Sequence, residues 1–125
     1  MIKKTVTYTD FNGTTRTEDF YFNLTQAELV EMEVGVSGGM KEMLEKIIAE
    51  KDQRRMFEYF KEMVIKAYGV KTPDGRGFEK SDKIRNSFAP TEAYSIIFME
   101  LATNTEKAIE FVNGIIPQIE ENPEA

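Results

Sequence analysis

The dipeptide Asn12-Gly13, set between two runs rich in threonine, valine, tyrosine and phenylalanine, constrains the fold more than any other feature of this chain. Residues 2–10 and 15–24 have strand composition, and an Asn-Gly pair between such runs is a strong β-hairpin signal. The register follows from which positions are apolar. Ile2, Val6 and Tyr8 share one face of the first strand, Phe20, Phe22 and Leu24 share one face of the second, and all six are even-numbered. A two-residue turn at Asn12-Gly13 pairs even positions with odd ones and splits the apolar set across both faces. A three-residue loop, Phe11-Asn12-Gly13, with Gly13 left-handed, keeps the set together.

Beyond the hairpin the apolar period lengthens to that of helices. Thr25-Gln26-Ala27-Glu28 reads as a capping box opening a short helix that stops at Gly35. After a flexible stretch, Gly35-Val36-Ser37-Gly38-Gly39, the residues Met40, Met43, Leu44, Ile47 and Ile48 form one stripe. That stripe lapses from Glu50 to Arg55 and resumes with Phe57, Phe60, Val64 and Tyr68. A break near Lys51-Asp52 is therefore expected, with Asp52 capping a helix that runs to Gly69. Thr72-Pro73-Asp74-Gly75 has type I turn chemistry, so Val70 to Lys80 reads as an exposed loop or small hairpin. Ser81 caps a short helix carrying Ile84 and Phe88. Pro90 or Thr91 starts the next, with Tyr94, Ile97, Phe98 and Leu101 on its buried side. Thr103-Asn104-Thr105-Glu106 is a second capping box, opening a helix that ends at Asn113-Gly114. The fold class is α+β: a hairpin over 2–24, then a five- to six-helix, mainly α-helical part over 25–117, forming one domain. Residues 118–125 are an acidic, frayed tail.

The charge balance bears on partners. Sixteen basic and twenty-two acidic residues give −6, a field that repels phosphate backbones and anionic lipid surfaces, so neither nucleic acid nor membrane is an expected partner. Lys51, Arg54 and Arg55 are interleaved with Glu50, Asp52 and Glu58, which reads as a solvated helix face. The chain has neither cysteine nor histidine. Disulfides, the usual zinc ligand sets and the Ser-His-Asp and Cys-His constellations are thereby removed. With no apolar run after Lys3-Lys4 and none of membrane-spanning length, the chain reads as cytosolic.

Candidate chemistry is sparse. Gly75-Arg76-Gly77 lacks the third glycine and the strand-to-helix context of a phosphate loop and is better read as a turn. The pairs Glu28 with Glu31 and Glu42 with Glu45 suit a solvated helix face better than acid–base work. Asp74, Glu79 and Asp82 lack calcium-loop spacing. No enzyme activity, catalytic residue, metal or cofactor is expected. Seven methionines are more informative, because this flexible, polarizable side chain suits surfaces that accept varied apolar partners, though it also fills cores. Met56 and Met63 sit one position off the Phe57-Phe60-Val64 stripe and are the stronger surface candidates.

From residue 52 to residue 117 the sequence resembles the tail assembly chaperones of siphophages that infect low-GC Gram-positive bacteria. The resemblance is carried by Phe60-Lys61-Glu62-Met63-Val64-Ile65-Lys66-Ala67-Tyr68-Gly69-Val70-Lys71, Asp74-Gly75-Arg76-Gly77-Phe78-Glu79-Lys80-Ser81, Ala93-Tyr94-Ser95-Ile96-Ile97-Phe98-Met99-Glu100-Leu101-Ala102-Thr103 and Phe111-Val112-Asn113-Gly114-Ile115-Ile116-Pro117. The resemblance implies reversible coating of the tape measure protein, handover to tail tube (major tail) subunits, and residence in the cytoplasm of the infected or lysogenic host rather than in the virion. Self-association into an oligomer is expected on physical grounds: a coat needs avidity from many copies, and a two-stranded hairpin is marginal by itself, so its exposed edges either pack on the helices or pair with another copy. Contacts are expected from Met40, Met43, Met56, Met63, Phe98 and Met99. The competing reading is a structural virion subunit, such as a tail completion or connector protein.

Overall fold

A computed structural model describes residues 1–31 and 37–117. Strands β1 (Ile2–Thr9) and β2 (Thr15–Phe22) form the expected hairpin, followed by helices α1 (Gln26–Glu31), α2 (Ser37–Glu50) and α3 (Gln53–Ala67). Strands β3 (Tyr68–Lys71) and β4 (Phe78–Glu79) come next, then α4 (Asp82–Phe88), α5 (Glu92–Thr103) and α6 (Thr105–Ile115). The architecture is α+β, with an antiparallel sheet of order β1-β2-β3-β4.

The hairpin has the expected register. Ile2 faces Phe22, Val6 faces Glu18 and Thr9 faces Thr15, so even pairs with even throughout. Gly13 takes φ 81°. Its amide donates to the Asp10 carbonyl at 3.0 Å, and the Asp10 amide donates to the Thr14 carbonyl at 2.9 Å. The Asp10 carboxylate accepts from the Asn12 and Thr14 amides and from Arg16 Nε. The Arg16 guanidinium and the Thr14 amide hold that carboxyl below its ordinary range. On the even face Val6, Phe22 and Leu24 are buried, with Ile2, Tyr8 and Phe20 packed against them.

Capping chemistry sets most helix boundaries. The Thr25 hydroxyl accepts from the Glu28 amide while the Glu28 carboxylate accepts from the Thr25 amide, the reciprocal capping box. Asp52 accepts from the Arg55 amide at 3.2 Å, and Lys51, at φ 56°, ends α2 in the left-handed region. Ser81 and Thr91 cap α4 and α5. The type I turn closes through the Gly75 amide on the Thr72 carbonyl at 2.9 Å.

Four expectations are corrected. Ser37-Gly38-Gly39 form the first turn of α2 rather than a linker; glycine is tolerated there because first-turn amides have no intrahelical acceptor. Helix α3 ends at Ala67 rather than Gly69, because Tyr68 turns extended and starts β3. Asn104, not Thr103, caps α6: the Thr103 hydroxyl donates back to the Met99 carbonyl within α5, and Asn104 accepts from the Lys107 amide. Helix α6 also runs through Asn113-Gly114 to Ile115. Gly114 serves close approach instead of termination, since a Cβ there would sit 3.1 Å from the Ile2 side chain. The stop expected at Gly35 and the tail over 118–125 lie outside the described residues.

The core gathers on the even face of the sheet. Phe22 meets Phe111 edge-on at 5.3 Å, and Phe88 stacks on Tyr68 at 4.0 Å. Residues 68–71 also extend the sheet, with Tyr68 opposite Phe22 and Gly69 opposite Tyr21. Two backbone bonds then tie the segment after β2 to the ends of α3 and α6: the Asn23 amide to the Ala67 carbonyl and the Leu24 amide to the Ile115 carbonyl.

A largely buried ion pair ties α1 to the strand–helix junction. Lys80 Nζ donates to Glu28 Oε2 and to the Asn23 carbonyl, each at 2.6 Å. Burial pushes the Glu28 carboxyl up, but Lys80 and the Thr25 amide outweigh it and leave it below its ordinary value of 4.5. Burial also lowers the Lys80 pKa, and Glu28 partly restores it. A carboxyl depressed by folding contributes stability above its unfolded value, and that stability is lost as pH falls through the folded one. Wild type should therefore exceed Glu28→Gln in thermal stability at neutral pH, and the gap should close as pH falls below about 4.5. At neutral pH Lys80→Met should cost about 1–3 kcal/mol by leaving Glu28 with fewer donors, as read by urea unfolding.

Candidate protein-binding surface

Helix α5 is apolar almost all round. Ala93, Ile97 and Leu101 turn inward and are buried, whereas Ile96 and Met99, three residues apart and so on one outward face, are 41 % and 50 % exposed. A helix with apolar residues on every side is ordinarily covered on every side. Within the described chain α5 packs on α3, α6 and β1, which leaves the outward face bare. Its charged residues are Glu92 and Glu100, and Glu100 is neutralised by Lys4 Nζ at 2.6 Å.

The patch extends onto α3 through aromatic rings. Phe57, 39 % exposed, meets Phe98 edge-on at 6.0 Å, Phe98 stacks with Tyr94 at 6.0 Å, and Tyr94 meets Phe88 edge-on at 5.6 Å. A line of rings thus connects the surface to the core. Burial pushes the Tyr94 hydroxyl pKa up, so that ring stays uncharged at neutral pH. Arg54 and Glu58, paired at 3.4 Å, add charge on the same stretch of α3. The patch has an apolar centre with polar neighbours, a composition suited to holding apolar helix faces.

The six expected contact residues fall into different places. Met99 belongs to this patch, and Phe98, half-buried against the core, flanks it. Met43 is exposed on α2, a helix packed on α3 and α6, and Met56 is half-buried against the core. The side chain of Met40 lies outside the described residues. The surface placement of Met63 is overturned, since it is only 3 % exposed. Helix α3 buries Phe60, Met63, Val64 and Ala67, with Met56 beside them. Its inward face therefore takes in 56-60-63-67 together with Val64, rotated part of the way from the 57-60-64-68 line that spacing suggested. The same rotation brings Met63 in and Phe57 out. Sequence reasoning missed Phe57 and Ile96 as surface residues. The available signal was in α5, where adjacent Ile96 and Ile97 cannot both face one core.

Other concave features carry less. A groove of about 480 Å³ between sheet and α4 is lined by Tyr8, Glu18, Phe20, Tyr68, Ser87 and Phe88 among others, with the Tyr8 hydroxyl donating to Glu18. Among the described residues no group of three or more histidine, cysteine, aspartate or glutamate side chains could hold a metal ion. Nor is any described helix long and apolar enough to cross a membrane.

Comparison with known proteins gives the context for this surface. A family model described as Phage tail assembly chaperone matches residues 1–122. No curated protein and no solved structure matches the chain. The family match takes in the hairpin as well as the helices, a wider span than residues 52–117. Covering nearly the whole sequence, it shows that this chain belongs to the phage tail assembly chaperone family.

Proposed function

We propose that this chaperone coats the tape measure protein of a siphovirus of Gram-positive bacteria. It then surrenders that protein to tail tube subunits as they polymerise. It acts in the host cytoplasm and is absent from the finished particle. The observation that carries this reading is the bare apolar face of α5, where Ile96 and Met99 are exposed, flanked by half-buried Phe98 and, on α3, exposed Phe57. A coat must hold many similar apolar segments and let them go. Adaptable side chains such as Met99, and Met43 on α2, suit that demand, and many weak copies supply avidity that a single tight site would make irreversible. The charge of −6 keeps a protein with an exposed apolar face soluble.

Light scattering on a tape measure fragment tests the reading. The full chain should suppress clumping of the fragment in proportion to its concentration, and added tube protein should release it. Mass spectrometry of purified particles should find the tube protein and not this chain. Retention in the particle at stoichiometric amounts would favour the structural-subunit reading instead.

A further inference from the structure

We propose that β1 is the seam along which two copies of this chain join, antiparallel, extending one sheet across both. The inference deepens the many-copy coat described above by naming the surface that joins its copies in pairs. It does not depend on which client they hold.

The geometry comes from the hairpin. Both backbone groups of Asp10 are used toward β2, its amide on Thr14 and its carbonyl on Gly13. In an antiparallel ladder successive residues alternate, so Ile2, Lys4, Val6 and Tyr8 also turn their backbone groups to β2. The N–H and C=O of Lys3, Thr5, Thr7 and Thr9 then point to the outer edge. Strand β1 is the end of the sheet order, and among the described residues no backbone–backbone hydrogen bond outside the ladder reaches those groups.

Exposed edges are usually guarded by proline, a bulge, charge or an overlying element. Strand β1 has no proline or glycine, and its pairing with β2 is unbroken from Ile2 to Thr9. Of its two lysines, Lys4 is held by Glu100 and Lys3 lies at the strand's beginning. The middle of the edge, Thr5 to Thr9, is unguarded.

A second copy fits this edge better than a helical client, whose interior amides are already bonded within the helix. With a two-fold axis beside Val6, Thr5 faces the partner's Thr7 and Lys3 faces the partner's Thr9. Odd faces odd, so donors meet acceptors along the whole of residues 3–9. The two Lys3 ammonium groups lie at opposite ends of the seam, and facing threonines are a favourable cross-strand pair. A ladder of this length is small as interfaces go, so association should be weak, about micromolar or weaker.

The test uses the full chain. Sedimentation from low micromolar to near-millimolar concentration should show a concentration-dependent dimer. Amide exchange of Lys3, Thr5, Thr7 and Thr9 should slow on concentrating by about tenfold or more, with the even-numbered amides of β1 unchanged. Thr7→Pro removes one outward donor per copy without touching the β1–β2 ladder, and should weaken association about tenfold or more. Thr5→Lys with Thr7→Lys keeps every backbone donor but sets like charges face to face, and should do the same. A chain that stays monomeric throughout overturns the seam. So does a dimer indifferent to both variants, or edge protection that appears only when a tape measure fragment is added. Monomeric variants that still bind the fragment separate seam from client surface, and a wild-type dimer that ignores the fragment would remove the client reading alone.

Discussion

Phe22→Ala should destabilise the fold by about 3–5 kcal/mol, the range for truncating a fully buried phenylalanine. Phe22 is 0 % exposed and touches rings from three later elements: Phe111 at 5.3 Å, Tyr68 at 5.8 Å and Phe88 at 5.9 Å. It also sits where the sheet changes partners, opposite Ile2 in β1 and Tyr68 in β3. Truncation leaves a hole that three rigid rings cannot collapse into, so the cavity cost adds to the lost transfer free energy. Against a typical domain stability of about 5–15 kcal/mol, the loss is a large share. Thermal midpoint should drop by roughly 10–20 °C. Phe11→Ala, at the exposed hairpin tip, is the control and should change stability by less than about 0.5 kcal/mol. Equal midpoints for the two variants in urea would contradict the core described above.

The largest functional effect is expected from Phe57→Glu combined with Met99→Glu. Both side chains are substantially exposed, so adding two carboxylates at the surface should leave unfolding close to wild type. Binding is another matter. An apolar client helix laid across α3 and α5 would have to desolvate both charges without a partner, at about 1–3 kcal/mol or more each. Recovery of a tape measure fragment on this chain should therefore fall at least about tenfold. Undiminished recovery would move the client surface elsewhere, with Met43 on α2 the next place to look. Met63→Glu makes an instructive contrast. It should also abolish recovery, but by unfolding the chain, because it forces a charge into the packed face of α3.

Local chemistry made much of this fold legible. The hairpin register came from parity, since even-numbered apolar residues require a loop of odd length and Asn12-Gly13 places a three-residue one. The caps at Thr25, Asp52 and Ser81 came from side chains that can bond an amide two or three residues on, whereas the start of α5 was left between Pro90 and Thr91. What was not legible depends on where elements meet. Nothing near Tyr68 announces that the chain will leave a helix and join β2, because that pairing is dictated by a strand far upstream. Gly114 reads as a stop signal unless one knows that Ile2 lies against it. For the surface, Met99 is exposed as expected and Phe98 is half-buried, while Met63 and Phe57 exchanged places. Spacing places an apolar stripe to within one position either way, and the rotation of α3 is fixed by what it packs on.

The position of α6 has a consequence for how the protein is made. It is the final helix described, yet its Phe111 closes over Phe22 and its Ile115 carbonyl holds the Leu24 amide. A nascent chain on the ribosome can form the hairpin early, since its pairing is local. Phe22 stays without that cover until Phe111 and Ile115 have left the ribosome, so its burial waits on a segment made long after the hairpin itself.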